Sequence, residues 1–411
     1  MWEDPAVILK RVSEQKEKVF TVIDRARDSA VRLLQDLIRI PSVNPSENFE
    51  KPLADFVAER MKDLGMEVRQ MEPAKNRVSD WGQLKGRTGN RTLMFYSHLD
   101  TVPEGNPSNW IVPPFEGRVV DGRVVGRGAK DCKLGIASAL MALIALRDSN
   151  VELDGNALLV TCADEETGGQ LGISKMIDAG WVKADFCIYG EGVPDKLTIG
   201  AKGFCQLQIT TKGKTTHTSR KELGVNAVVK MSRVITAIDG LYFKNWKPHK
   251  YVPGAPVASV NMIRGGFKEN VVPDECTITV DIRFPPGVTI DSILHEVQDT
   301  LNQLKASDPY LGGIDVDFRP ISVGRPVFVS PDEPIVRILG HAVNEVLKLQ
   351  PVPIGMQASS DSRWIVHDAG IPTVNYSMGN ESGHQPNEYV VIDQYIQNIK
   401  VYALAALMAL N

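Results

Sequence analysis

The sequence contains no CxxC pair, and its five cysteines, Cys132, Cys162, Cys187, Cys205 and Cys276, form an odd set. That excludes a disulfide framework or a sulfur-rich structural zinc site and predicts reduced, mostly buried thiols. Cys132, next to Asp131, is the one thiol whose place in the sequence would let it face a metal. Charge of one sign is also missing: 46 Lys and Arg stand against 50 Asp and Glu. The net charge of -4 offers no basic field for a polynucleotide, so no nucleic-acid partner is expected. The most apolar run, YALAALMAL at 402–410, is less than half the roughly 20 residues that span a bilayer, which predicts a buried helix and no membrane partner. The first residues, MWEDPAVILKRVSEQKEK, are charged throughout and lack the apolar core of a secretory signal, so a cytoplasmic protein is expected. There is no GxSxG for a serine nucleophile. Two nucleotide motifs fail at one position each: Gly126-x-Gly128 is followed by Asp131 where a dinucleotide fingerprint needs glycine, and Gly213-Lys214-Thr215 has Gln208 where a phosphate loop needs it.

What is present is length for two cores, since 411 residues exceed the roughly 100 to 200 of one domain. Apolar residues recur at helical spacing in 30–38 and 53–64, and short strands are expected at 66–71 and 92–96. A helix over 134–147, a buried strand over 157–162, a helix over 171–179 and a strand over 186–189 continue the alternation. This is the pattern of an α/β domain with a mostly parallel mixed sheet and helices on both faces. From about Lys202 the order becomes strand 205–211, helix 225–238, strands 258–263 and 276–284, helix 290–304 and strand 314–318. An inserted α+β domain with a four-stranded antiparallel sheet and two helices on one face is expected there. From Pro331 the first rhythm resumes, with a further strand expected at 372–376. The boundaries read as 1–202 and 326–411 for the first domain and 203–325 for the insert.

Four polar clusters fall at expected strand ends or loop-to-helix junctions: Ser97-His98-Leu99-Asp100, Gly126 to Asp131, Asp164 to Gly169, and Gly190-Glu191-Gly192. Ligands gather at such places in open α/β sheets. Any one of these short matches is more often a solvated loop than a site. Four acidic or histidine clusters converging on one sheet edge would require cations to neutralise them. Histidine and carboxylate ligands without thiolate pairs suit zinc, cobalt or manganese, and there are more of them than one catalytic zinc takes. Two divalent ions are therefore expected, with zinc the first choice. Paired ions can direct water onto a polarised carbonyl, and one further carboxylate then serves as base. Neighbouring Glu165 and Glu166 can divide those tasks.

The ordered strings SHLDTVP, GRGAKD, ADEETGG, YGEG, GGFKENVVPDE with DIR, and GHQPNEY resemble a known metallopeptidase family, in a match that runs from about residue 30 to the C-terminus. It is the family of acetylornithine deacetylase, succinyl-diaminopimelate desuccinylase, aminoacylase and glutamate carboxypeptidase. The resemblance implies that His98 and Glu191 hold one ion, Glu166 and His384 the other, and that Asp131 bridges them. It implies Glu165 as general base and Asp100 as the partner of His98. It also implies that the insert is a lid and dimerisation domain, hence a homodimer, with His217 of GKTTHTS reaching the oxyanion across the dimer. Asn270 and Arg283 match lid positions that contact substrate, often its carboxylate. Without the resemblance, His217 reads as an exposed loop histidine and Arg283 as a strand-end arginine paired to Asp281 or Glu275. His249, His295, His341 and His367 match no motif.

The departures from the family pattern surround the substrate. The family often has Met after the bridging Asp and two glycines after the next Lys, where this chain has Cys132-Lys133-Leu134-Gly135. The loop Gln357 to Arg363, with Ser360 as its candidate substrate contact, stands where relatives carry a Gly-rich stretch. The expected activity is hydrolysis of an amide-type C–N bond in a small N-acyl amino acid-like substrate that carries a carboxylate. The alternatives are another C–N bond (a carbamate, a C-terminal peptide bond or hydrolytic deamination) or a non-catalytic metal-binding scaffold.

Overall fold

The computed structural model describes residues 3–47, 49–311 and 316–411. The chain divides into two compact units. One comprises 1–199, 329–354 and 360–411; the other comprises 200–328 and 355–359.

The first unit is built on a mixed sheet whose strands run in the order Glu67–Ala74, Arg77–Leu84, Asn156–Cys162, Thr92–His98, Phe186–Tyr189, Thr373–Asn375 and Lys196–Ala201. The four from Asn156–Cys162 to Thr373–Asn375 are mutually parallel. Strands on either side are antiparallel to them. The central strands are buried along almost their whole length, as a sheet covered on both faces requires. The expected α/β class is thus the observed one. The flanking pair Glu67–Ala74 and Arg77–Leu84 goes beyond the sequence reading, which had only a short strand at 66–71.

Helices cover this sheet, some by a single buried stripe and some buried on nearly every side. In Arg27–Arg39 the buried residues are Ala30, Leu34, Leu37 and Ile38, the spacing of a single helical face. The 402–410 run lies in the helix Ile392–Leu410, buried nearly all round against Leu134–Asp148 and Pro334–Leu347. Its one buried amide, Asn398, donates to Ser138 Oγ at 2.9 Å. Two N-terminal helices, Pro5–Arg11 and Ser13–Arg25, were not anticipated; they bury Ile8, Val19 and Ile23. Among the described residues no helix is long and apolar enough to cross a membrane.

The second unit holds a four-stranded antiparallel sheet in the order Val257–Gly265, Glu275–Phe284, Gly203–Lys212, Val316–Gly324. Alternate residues Cys205, Leu207, Ile209 and Cys276, Ile278, Val280, Ile282 point into one core. The helices Ala227–Asp239 and Ile290–Ser307 pack on that face through Met231, Val234, Ile293 and Val297. Positions 314 and 315 of the last expected strand lie outside the described residues.

Candidate metal centre

Parallel pairing in register gathers the polar clusters at one sheet edge. His98 ends its strand opposite Cys162, and Tyr96 lies opposite Tyr189. Asp164 to Gly169 and Gly190-Glu191 therefore leave the sheet beside His98. The helix Leu134–Asp148 starts close against this edge because Gly135 and Gly190 both lack a side chain. A Cβ on Gly135 would lie 2.3 Å from Ser97 Oγ and 2.8 Å from Gly190 Cα.

His98 is fully buried, and its Nε2 lies 3.1 Å from both Asp131 Oδ1 and Glu191 Oε1. His384 Nε2 lies 3.1 Å from Glu166 Oε1 and 3.5 Å from Asp131 Oδ2. Donor atoms of His98, Asp131 and Glu166 all fall within 4.8 Å of one another. Separations near 3.1 Å match one edge of a coordination polyhedron with ligand bonds of about 2.1 Å, so the donor set fits metal ions. Burial works against a charged Asp131, but His98, Lys130 and His384 together hold its carboxyl far below the usual range. Burial raises Glu165 well above the usual carboxylate range; His98 opposes the rise, while Glu191, Asp361 and Glu166 add to it.

Asp100 is fully buried and holds the acidic loop by its backbone. Oδ1 accepts the Glu165 N–H and Oδ2 the Glu166 N–H, each at 3.1 Å, and Oδ1 lies 3.5 Å from His98 Nδ1. Asn44 donates to Asp100 Oδ2 at 3.1 Å. Cys132 is also buried, with its thiol pushed up to about 12, chiefly by burial, and its Sγ–H donates to the Gly190 carbonyl at 3.2 Å.

Ser360, in the same unit, is buried and shares a hydrogen bond with Ser362 Oγ at 2.8 Å. The other three expected substrate residues lie in the second unit. His217 is exposed, its Nδ1 2.8 Å from Ser219 Oγ. A β-bridge joins it to Val271, and the neighbouring Asn270 carbonyl accepts the Thr218 N–H at 3.1 Å, so His217 and Asn270 are neighbours. Arg283 forks onto Asp281 at 2.8 and 3.0 Å, the ordinary strand-end pairing, while Glu275 pairs with Lys212.

The sequence reading assigned no role to Glu388, although it lies inside GHQPNEY. Its buried carboxylate accepts Arg127 Nη1 at 2.7 Å and the backbone N–H groups of Gly128, Lys130 and Asp131 at 3.1, 2.8 and 2.9 Å. One side chain thus ties the loop of His384 to the turn that presents Asp131. Arg77 acts similarly on the acidic loop, donating to Asp164 Oδ1 at 2.7 Å while pairing with buried Glu50 at 3.1 Å. Tyr96 donates to buried Asp361 beneath the same loop. The signal for Glu388 and Arg127 was their presence in the quoted strings; their 261-residue separation hides the pair.

A model described as Peptidase family M20/M25/M40 matches residues 94–408. The chain is 27% identical over 384 residues to a succinyl-diaminopimelate desuccinylase of Roseobacter denitrificans, covering 91% of this chain and 96% of that one. It is 26% identical over 418 residues to the N-formyl-4-amino-5-aminomethyl-2-methylpyrimidine deformylase of Bacillus subtilis, covering 95% and 94%. Its fold is similar to the crystal structure of an M20 family metallo-carboxypeptidase from Sulfolobus solfataricus. The TM-score is 0.76 at 20% identity, with 92% of this chain and 98% of that chain covered. With His98, His384 and their neighbouring carboxylates in one cluster and the family model spanning most of its length, the chain belongs to peptidase family M20/M25/M40, a family of metal-dependent hydrolases acting on amide bonds.

Proposed function

We propose that this chain is a two-ion amide hydrolase in which His98 and Glu191 hold one divalent cation, Glu166 and His384 hold the other, and Asp131 bridges them. The observation that carries this reading is that the two oxygens of Asp131 face different imidazoles, Oδ1 toward His98 and Oδ2 toward His384. A nitrogen and oxygen donor set, with the neighbouring thiol hydrogen-bonded to a carbonyl, favours zinc, then cobalt or manganese. Bound cations of this kind acidify water and polarise a carbonyl.

Glu165 is the general base in this reading. It takes a proton from water as the water oxygen bonds to the carbonyl carbon, then gives it to nitrogen as the C–N bond breaks, releasing a carboxylic acid and an amine. Burial and the neighbouring carboxylates work against the ionised form that a base needs, and the cations of this reading would favour it. Asp100 is a positioning residue: it anchors the backbone of Glu165 and Glu166 and stands beside His98.

The substrate is a small N-acyl amine with a carboxylate. The names of two relatives, a desuccinylase and a deformylase, support acyl removal from nitrogen. The insert 203–325 is read as the lid and homodimer domain, with His217 as oxyanion donor and Asn270 beside it. Asn270, Arg283 and, outside the insert, Ser360 are the candidate substrate contacts, and Arg283 has to exchange Asp281 for a substrate carboxylate to serve as one. Five free, buried cysteines support a cytoplasmic setting. Amine release from a panel of N-succinyl, N-formyl, N-acetyl and dipeptide substrates tests the reading. Glu165→Gln should lose at least about a hundredfold in kcat with metal content unchanged. Full turnover by this variant would refute the assignment of the base.

A further inference from the structure

The short turn that carries Glu165 and Glu166 is held at both ends by side chains. At its start Asp100 accepts the Glu165 and Glu166 N–H groups. At its end the Gly168 carbonyl accepts two donors from the helix Ser362–His367, Arg363 Nη2 at 2.6 Å and Trp364 Nε1 at 3.0 Å. Gly168 also donates its own N–H back to the Glu165 carbonyl at 2.9 Å.

The start of that helix is seated directly against the turn. Gly168 and Gly169 have left-handed φ of 116° and 69°. A Cβ on Gly169 would lie 2.1 Å from Asp361 Oδ1 and 2.8 Å from Asp361 Cγ, so the approach of this buried carboxylate requires glycine. Tyr96, from the strand that ends in His98, donates to the other oxygen of Asp361. Arg363 is 7% exposed; its Nη1 donates to the Ser360 carbonyl at 3.2 Å, and its guanidinium carbon lies 5.4 Å from the centre of the Trp364 ring. The two donors on Gly168 thus come from a buried, internally braced segment.

We infer that Arg363 and Trp364 are positioning residues for the base of the proposed reaction: by fixing the Gly168 carbonyl they hold Glu165 where it meets the attacking water. The inference rests on the reading of Glu165 as that base. Glu166, the other carboxylate of the turn, is tied through its own side chain to His384 and, in the two-ion reading, to a cation. Glu165 is tied through its backbone, to Asp100 at its N–H and to Gly168 at its carbonyl. Loosening the far end of the turn therefore displaces the base first and leaves the proposed metal ligands in place. Charge-assisted hydrogen bonds are the strong ones, and misplacing a catalytic group by about 1 Å can cost about a hundredfold in rate.

The test uses the full-length, metal-loaded protein and the most rapidly cleaved substrate of the acyl-amine panel. Trp364→Phe removes one donor and keeps a ring; Arg363→Met removes the other. We expect kcat to fall by about threefold or more in Trp364→Phe and by about tenfold or more in Arg363→Met, with KM and bound metal within about twofold of native. In a Glu165→Gln background, where no base is left to place, the same substitutions should change the residual kcat by less than about twofold. Unchanged kcat in both single variants overturns the inference. So does a rise in KM at native kcat, which would make Arg363 a substrate contact, or a loss of metal in step with activity. A loss in the Glu165→Gln background as large as in the native chain would show a general effect on the fold and overturns it too. Full turnover by Glu165→Gln alone would instead refute the base, so the two failures are distinguishable. Folding is checked by thermal melts, and Trp364→Phe decides if Arg363→Met does not fold.

Discussion

Replacing Glu388 by glutamine keeps the size of the side chain and removes its charge. Oε2 serves Arg127 and the Gly128 N–H, while Oε1 serves the N–H groups of Lys130 and Asp131. An amide has one oxygen, so whichever way it turns, two of these four donors face an NH2 group. Arg127 and Glu388 have side chains 2% and 0% exposed, so solvent does not screen the loss. Removing one partner of a buried ion pair typically costs about 3–5 kcal/mol. Two stranded donors at about 1–3 kcal/mol each give a similar figure by a separate route, and the two overlap rather than add. Urea unfolding of the metal-free protein should therefore show Glu388→Gln less stable by about 3–5 kcal/mol. Because the lost contacts fix the turn of Asp131, the refolded variant should also retain less metal at equal free zinc. A loss below about 1 kcal/mol with native metal retention would refute the argument that Glu388 organises this turn.

Asp80 is buried in the strand Arg77–Leu84, accepting from Thr161 Oγ1 at 2.8 Å and Gln70 Nε2 at 3.0 Å, with its carboxyl pushed up to about 8 by burial. The folded protein keeps that proton where the unfolded chain, with a pKa of about 3.9, has lost it, so this residue's contribution falls by about 1.4 kcal/mol per pH unit between about pH 4 and 8. Asp80→Asn should flatten that part of the stability profile and raise stability at pH 7 by up to about 4 kcal/mol; parallel denaturation profiles for the two proteins would contradict this. Gly135→Ala places a methyl 2.8 Å from Gly190 backbone atoms that cannot rotate away. A loss of about 1–3 kcal/mol or more is expected from its thermal melt, and an unchanged melting temperature would show that the helix start gives way freely.

The sequence made the strand-end clusters legible because each follows a short apolar run, and parallel strands in register deliver their ends to one edge. The helix Ile392–Leu410 was legible for the same kind of reason, a run too apolar to be exposed. The strand Arg77–Leu84 was not, because its buried residues include Arg77, Ser79 and Asp80. Their partners Asp164, Ala163 and Thr161 come from more than 80 residues away, and no local pattern announces them. The N-terminal helices were hidden by charge: Ser13–Arg25 is mostly polar and buries a narrow stripe of Val19 and Ile23. At the candidate site the types of the proposed ligands, and Asp100 behind them, were readable from sequence, but most of the groups that hold them were not. Glu388, Arg127, Arg77 and Asp361 are charged residues whose burial depends on long-range pairing, which composition and spacing do not encode.

In the proposed centre Asp131 is shared between two cations. Elemental analysis of the native protein and of Asp131→Asn, both equilibrated at saturating buffered free zinc, addresses that directly. The native chain should carry two ions, and the variant should lose metal from both positions rather than from one. Undiminished metal in Asp131→Asn, or the clean loss of a single ion with the other held as in the native protein, would contradict the bridge.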